Sequence, residues 1–304
     1  MRTRRSLIDL DDLTASEMTY IFERTADFER DEPGRLLDGL ACVNMFFENS
    51  TRTMTSFALA EQRLGGTVVT LWPKESSLQK GETIEDTAIT LAAMGVSVLV
   101  IRHQEEGYPR RVALAFDGHV INAGDGTHAH PTQALLDIYT IREEFGDLRG
   151  RRVAIVGDIL HSRVAHSNIA GLRSFGAQVI LVGPPGFLPD DYMQPHVTIA
   201  RDLDAVLPEI DALMLLRIQR ERFENMPLSD KEYIERYQLD ARRLKRLGGE
   251  TIVMHPGPYH RGMELDDSVL DFAGWRYAKQ VMHGVSVRMA LLDFLVNGAP
   301  ALVA

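Results

Sequence analysis

Short apolar runs alternate along the chain with stretches in which apolar residues return every three or four positions. The first pattern is that of buried strands, the second that of helices with one covered face. Runs at 42–47, 67–72, 96–101 and 120–123 read as strands. A helix over 13–28 carries Met18, Ile21, Phe22 and Ala26 on its apolar side, with Thr14 or Ser16 near its start. Phe57, Ala60 and Leu64 form a second stripe, which Gly65 and Gly66 stop; Ile84, Ala88, Leu91 and Ala92 form a third. A short helix is expected at 110–116. Pro131 opens a longer one, with Leu135, Ile138, Ile141, Arg142 and Phe145 on or near one face and His130 at its N-cap. The alternation then restarts. Strands are expected at 153–156, 178–182, 197–200, 212–216 and 251–254. Helices are expected from 163 to about 175, at 239–247 and at 278–295, the last carrying Val281, Val285, Leu292 and Leu295. The polar segment 73–81 has no period and reads as an exposed loop.

Strands and helices in strict alternation imply right-handed βαβ crossovers and parallel sheets. The two runs meet near 143–151, so the expected fold is α/β, with two doubly wound parallel-sheet domains, 1–143 and 144–285. A chain of 304 residues suits two domains. At 45% hydrophobic and 25% charged residues the composition is that of a soluble globular protein. Asp9, Asp11 and Asp12 follow the basic first residues where a signal peptide needs an apolar core, and Cys42 is the one cysteine. Both features suggest a cytoplasmic protein without an intramolecular disulfide. A net charge of −10 argues against general nucleic-acid binding, and it requires any anion site to build its own local positive potential.

In open α/β sheets, ligands bind beyond the carboxyl ends of the strands. In this chain those positions hold Ser50-Thr51-Arg52-Thr53, the loop with Ser77 and Lys80, Arg102 and His130, then Arg163, Arg217 and Pro256-Gly257-Pro258. Singly, each has an ordinary explanation. Ser50 caps a helix, Arg102 ends a strand in solvent, His130 caps the next helix, Arg163 neutralises Asp158, Lys80 is a loop charge and Gln133 a helix residue. Together they place four arginines, a lysine and a histidine on one topological edge, which suits a small polyanion. A strand-to-helix junction adds unpaired N–H groups and a partial positive charge, so Ser50–Thr53 reads as a phosphate cradle gripped by Arg52. His128 and His130 are spaced like possible ligands, but no third Cys, Asp or Glu is read as joining them, so no metal is expected. The turn 157–162 lacks the Gly-x-Gly-x-x-Gly fingerprint, no Gly-x-x-x-x-Gly-Lys-Ser/Thr occurs, and no activated nucleophile stands out. Positioning and electrostatics, without cofactor or covalent intermediate, are the chemistry these residues suit.

Phe46-Phe47-Glu48-Asn49-Ser50-Thr51-Arg52-Thr53 with Ser56-Phe57 resembles the carbamoyl-phosphate signature of the aspartate/ornithine carbamoyltransferase family. Asn122-Ala123-Gly124-Asp125-Gly126, His130-Pro131-Thr132-Gln133-Ala134-Leu135-Leu136-Asp137, and Met254-His255-Pro256-Gly257-Pro258 with Arg261-Gly262-Met263-Glu264 are similar to its aspartate branch. The similarity spans nearly the whole chain in order. It implies carbamoyl transfer from carbamoyl phosphate to L-aspartate, an early step of de novo pyrimidine biosynthesis. Ser50, Thr51, Arg52 and Thr53 would hold the phosphate. Thr53, Arg102 and His130 would surround the carbamoyl oxygen and act as the catalytic set. Gln133 and the carbonyls around Pro256, Gly257 and Pro258 would receive the carbamoyl NH₂. Arg163, Arg217, Gln219 and Lys80 would bind aspartate, with Ser77 and Lys80 reaching in from the neighbouring subunit of a homotrimer. The last helix, about 286–304, would pack back on the first domain, and the active site would lie in the cleft between the two domains. A regulatory chain or a dihydroorotase stays open as a partner. Asn49 stands where the family commonly has proline and Met54 where arginine is frequent, and a short 76–80 loop leaves Ser76 or Ser77 as the one that reaches the site. The alternatives are an ornithine carbamoyltransferase, which should want neither Arg217 nor Lys80, and a non-catalytic phosphate-metabolite-binding relative, which should have lost an anchor.

Overall fold

The computed structural model describes residues 5–72, 81–189, 194–222 and 226–299. By packing, the chain divides into one unit of Met1–Tyr139 with Val281–Ala304 and a second of Thr140–Gln280.

The first unit begins with α1 (Ala15–Arg30), where Thr14 and Glu17 form a capping box. Then follow β1 (Ala41–Phe46), α2 (Thr51–Arg63), β2 (Thr67–Leu71), α3 (Ile84–Ala93), β3 (Val96–His103), α4 (Tyr108–Ala115), β4 (His119–Asp125) and α5 (Pro131–Phe145). Its four strands are parallel in the order β2-β1-β3-β4. Val43, Met45, Leu99, Ile101 and Val120 meet Ile84, Ala88, Leu91 and Val112 in one core.

The second unit contains β5 (Arg152–Val156), α6 (Arg163–Ser174), β6 (Gln178–Val182), β7 (Val197–Ala200), the short α7 (Leu203–Val206), β8 (Ala212–Leu215), α8 (Asp230–Tyr237), the short α9 (Ala241–Leu244) and β9 (Ile252–Met254). Its five strands are parallel in the order β7-β6-β5-β8-β9. Their inner face is apolar, with Val156, Val182, Leu213, Leu215 and Val253 packed on Tyr233, Tyr237 and Leu265. The final helix α10 (Tyr277–Asn297) returns to the first unit through the Arg24–Asp293 pair at 2.8 Å.

Each sheet reverses its winding once, between β1 and β3 and between β5 and β8. At such a switch point the loops leave in opposite directions and open a crevice at the strand ends. No helix among the described residues is long and apolar enough to cross a membrane.

Three expectations fail in detail. The segment 239–247 forms only the four-residue α9, because Leu239 bridges Leu265 as extended chain and Asp240 then caps a short turn. A full helix precedes it at α8, with a Ser229–Glu232 capping box. α5 lacks the one-sided face expected of it: residues 131–141 are all buried, including Thr132, Gln133, Asp137 and Thr140. On α10, Val281 is exposed and Val285 only half-buried; Val287, Ala290, Leu291 and Phe294 form the covered face with Leu295.

Candidate active site

In the first unit the switch-point crevice is built by the ends of β1 and β3. Phe46 and Arg102 are register partners, and the Phe47 N–H donates to the Arg102 carbonyl at 2.9 Å. The chain leaving β1 turns into α2 because Phe57, Ala60 and Leu64 are fully buried beneath it. Ser50 is the N-cap in extended geometry, yet its hydroxyl makes no cap hydrogen bond. Thr51 and Arg52 are exposed in the first turn, and Thr53 is buried. The first-turn N–H groups therefore keep their capacity for an outside acceptor.

Arg102 is held at the end of β3. Its Nε lies 3.2 Å from Glu48 Oε2, and its Nη1 donates to the Ala123 carbonyl at 3.2 Å. Glu48 steadies the guanidinium and was not singled out from sequence; its place between Phe47 and the hydroxyl-rich turn was the available signal.

β4 leads into a loop knotted by Asp125, which is fully buried. Its carboxylate accepts from Asn122 Nδ2 at 2.9 Å, Ala129 N–H at 3.1 Å and Gly107 N–H at 3.0 Å. That knot fixes the approach to α5, where the His130 carbonyl accepts from the N–H groups of Gln133 and Ala134, as an N-cap does. The His130 ring is 4% exposed. Gln133 follows in the first turn, and its Nε2 donates to Asp137 Oδ1 at 2.9 Å. Carboxylates do reach His128 in three dimensions, contrary to the sequence expectation. Its ring nitrogens lie 3.1 Å from Asp9 Oδ2 and 3.2 Å from Asp125 Oδ2, so the ring bridges two loops.

In the second unit β5 and β8 approach closely, and Gly157 permits it. Its φ is +125°, and a Cβ there would meet the Leu216 carbonyl oxygen at 2.8 Å. The next residue, Asp158, is fully buried, and burial raises its carboxyl above the ordinary range while His161 pulls it down. Asp158 accepts from His161 Nδ1 at 2.9 Å and from the Gln219 N–H at 3.2 Å. Gln219 Nε2 and Arg222 Nη1 both donate to the His161 carbonyl, at 2.6 and 2.8 Å. These bonds tie the loop that carries Arg163 to the loop that carries Arg217. Arg163 opens α6 and is 8% exposed, behind a Ser162 side chain that accepts from the Ala165 N–H at 3.1 Å. Arg217 lies two residues past β8 and is half-buried. The Gln219 side chain is anchored to the His161 backbone through one of its two N–H groups.

After β9, Pro256, Gly257 and Pro258 form a turn with Gly257 at φ +69°. His255 organises it. Its Nδ1 accepts from the Gly257 N–H at 2.8 Å, so Nε2 carries the proton and donates to Glu264 at 3.2 Å. Ser77 and Lys80 lie outside the described residues. Within the first unit the fold thus gathers Ser50, Thr51, Arg52, Thr53, Arg102, His130 and Gln133 at the carboxyl ends of its strands. Within the second it gathers Arg163, Arg217, Gln219 and the Pro256–Pro258 turn at the equivalent end. Asp125, Asp158, His255 and Glu264 are the supporting groups that single-residue reasoning missed.

Two family models match the chain. One, described as the aspartate/ornithine carbamoyltransferase carbamoyl-P binding domain, covers residues 5–143; the other, the Asp/Orn binding domain, covers 149–295. The aspartate carbamoyltransferase catalytic subunit of Acidothermus cellulolyticus is 50% identical over 306 residues, spanning 98% of this chain and 94% of that one. That of Salinispora arenicola is 51% identical over 266 residues, 86% of each chain. Among solved structures, aspartate transcarbamoylase from Trypanosoma cruzi in complex with carbamoyl aspartate and phosphate superposes with a TM-score of 0.88 at 32% identity, covering 95% of both chains.

Proposed function

The chain belongs to the aspartate/ornithine carbamoyltransferase family, and we propose that it transfers the carbamoyl group of carbamoyl phosphate to the amine of L-aspartate. The products are N-carbamoyl-L-aspartate and phosphate, an early step of de novo pyrimidine biosynthesis. The choice of acceptor is carried by one observation: Arg163 and Arg217 flank the switch point of the second sheet, on loops joined through Asp158 and His161. Two guanidiniums suit the two carboxylates of aspartate, whereas ornithine offers one carboxylate and a second cation.

The first unit would take the donor. The bare start of α2 and Arg52 receive the phosphate, while Thr53, Arg102 and His130 supply donors to the carbamoyl oxygen. The aspartate nitrogen bonds to the carbonyl carbon, and negative charge gathers on that oxygen. The bond from carbon to the phosphate oxygen then breaks, and phosphate takes the electron pair together with the proton that the attacking amine gives up. Donors fixed in advance around the oxygen stabilise the tetrahedral state more than the planar donor. Gln133 and the carbonyls of the Pro256–Pro258 turn would receive the carbamoyl NH₂. Ser77 and Lys80 would come from the neighbouring subunit of a homotrimer in the cytoplasm.

Purified protein should carbamoylate L-aspartate and leave L-ornithine unreacted, and His130→Ala should lose about 10²-fold or more in kcat, the usual loss of one such donor. Equal turnover of both amines, or full activity in His130→Ala, would contradict the assignment. Mixing inactive Arg52→Ala and Lys80→Ala trimers should restore activity in re-formed hybrids, and hybrids with none would count against a shared site.

A further inference from the structure

We propose that Asp137 is a positioning residue that fixes which end of the Gln133 side chain faces the donor, so that the enzyme selects an acyl phosphate bearing NH₂ over one bearing methyl. The proposal rests on the reading of Gln133 as the acceptor of the carbamoyl NH₂.

Gln133 and Asp137 lie one turn apart on α5, and neither is accessible: Gln133 is 8% exposed and Asp137 0%. Gln133 Nε2 donates to Asp137 Oδ1 at 2.9 Å. A primary amide can point either way, and in solvent both orientations cost the same. Beside an ionised carboxylate they do not, because a carboxylate only accepts. Turning the amide over would press two oxygens together in a buried place with no proton between them. The nitrogen is therefore held inward, and the Gln133 oxygen is the end left to face a ligand. An oxygen can accept from the NH₂ of a carbamoyl group. A methyl group offers it nothing.

This orientation requires that Asp137 remain an anion while fully buried, and Arg288 of α10 supplies the balancing charge. Its guanidinium is 3% exposed. Burial pushes its ionisation down to about 9, and the attraction of Asp137 opposes that push. Arg288 is itself seated by three elements. Its Nη1 donates to the Gly284 carbonyl at 2.8 Å, its Nη2 lies 3.5 Å from Thr132 Oγ1, and its guanidinium carbon stands 4.9 Å from the centre of the Phe57 ring on α2. Gly284 makes room for it, since a Cβ at that position would come within 2.8 Å of Arg288 Nη1. A glycine inside a helix is less favourable than alanine. Here it admits a buried cation whose reach extends from the phosphate helix to the residue behind Gln133.

The test is the ratio of kcat/KM for carbamoyl phosphate to that for acetyl phosphate, with L-aspartate as acceptor. In Asp137→Asn the neighbour can donate as well as accept, and Gln133 loses its fixed orientation. The carbamoyl phosphate value should fall about 10-fold or more while acetyl phosphate changes little, so that the ratio collapses. In the exchanged pair, Gln133→Glu with Asp137→Asn, the outward atom is an oxygen again, and the ratio should return even where absolute rates stay low. If Asp137→Asn alone is too unstable to assay, Asp137→Asn with Arg288→Met removes the unpaired cation as well, and the same collapse is expected. Equal losses with both donors, or an unchanged ratio in the assayed variant, would overturn the proposal. Gln133→Ala separates the two layers. If it leaves the ratio unchanged, the reading of Gln133 itself is wrong; if it collapses the ratio and the Asp137 variants do not, the orientation by Asp137 alone is wrong.

Discussion

The two sheets share one winding scheme and differ in how the helix at the switch point begins. α2 starts at Ser50, whose hydroxyl makes no cap bond, with Arg52 exposed in the first turn. α6 starts at Ser162, whose side chain accepts from the Ala165 N–H, with Arg163 buried beside it. A helix start that does not cap itself offers backbone N–H groups and the positive end of its dipole, which favour a phosphate. A start that caps itself has used part of that capacity, and guanidiniums, which match carboxylates, can take over recognition. On the proposed function, the same fold is fitted to two anions, with one serine side chain engaged and the other not. The comparison also explains why the second unit needs a tightly bonded pair of loops: its cations sit on side chains, and Asp158 and His161 hold those side chains' loops together.

The sharpest way to break this contrast is to cap α2. Ser50→Asp would place a carboxylate where the phosphate is proposed to sit, and kcat/KM for carbamoyl phosphate should fall at least about 100-fold, because a charge-assisted contact is replaced by repulsion. Thermal stability should hold or rise, since aspartate is a good N-cap. A smaller effect is expected in the second unit. Arg163→Ala should raise the KM for aspartate roughly 30-fold and leave the affinity for phosphate alone unchanged, as measured by steady-state kinetics and product inhibition. Smaller again, Ser162→Ala should cost about 1 kcal/mol of stability in urea unfolding, the usual loss of a cap, whereas Ser50→Ala should cost much less. Equal stability losses at the two serines would erase the distinction.

An effect on stability and its pH dependence, not on turnover, concerns the rear of α2. Glu61 is fully buried there and accepts from Asn44 Nδ2 at 2.6 Å, while Glu61 Oε1 and Asn44 Oδ1 have no hydrogen-bond partner. Burial lifts its carboxyl from the ordinary 4.5 to about 8, with the Asn44 bond opposing. A folded value above the unfolded one means that the associated stability is whole below pH 4.5 and declines as pH rises toward 8. Glu61→Gln should remove that decline, raising the melting midpoint by roughly 5 °C at pH 8 and by little at pH 5. A pH-independent shift would show that Glu61 does not titrate in this range.

Every strand was legible because β-branched and apolar runs bounded by glycine have few alternatives, and strand ends then located Arg52, Arg102, Arg163 and Arg217 without further information. α8 was not legible. Its buried residues are Tyr233 and Tyr237, set among charged neighbours, so its apolar face hides behind hydroxyls. The Ser229-to-Glu232 spacing was a sufficient start signal. α5 was only partly legible for the opposite reason: over residues 131–141 it is buried all round, so the face marked by Leu135, Ile138 and Ile141 is only part of what it covers. The charge that allows Asp137 to be buried comes from α10, far along the chain. Only packing reveals such a partnership. Val281 and Val285 show the same limit, since a helical stripe identifies an apolar side without saying which neighbour covers it.

The division of labour between the units is tested most directly by calorimetric titration with two ligands, phosphonoacetamide and N-(phosphonacetyl)-L-aspartate. The first carries the phosphate-like group and the amide alone, and the second adds the aspartate carboxylates. Arg52→Ala should weaken both. Arg217→Ala should weaken the two-headed ligand about 100-fold, the scale of losing a charge-assisted pair, and leave phosphonoacetamide binding as in the unaltered protein. If Arg217→Ala weakened both ligands alike, or Arg52→Ala spared phosphonoacetamide, the assignment of phosphate to the first unit and carboxylates to the second would be contradicted.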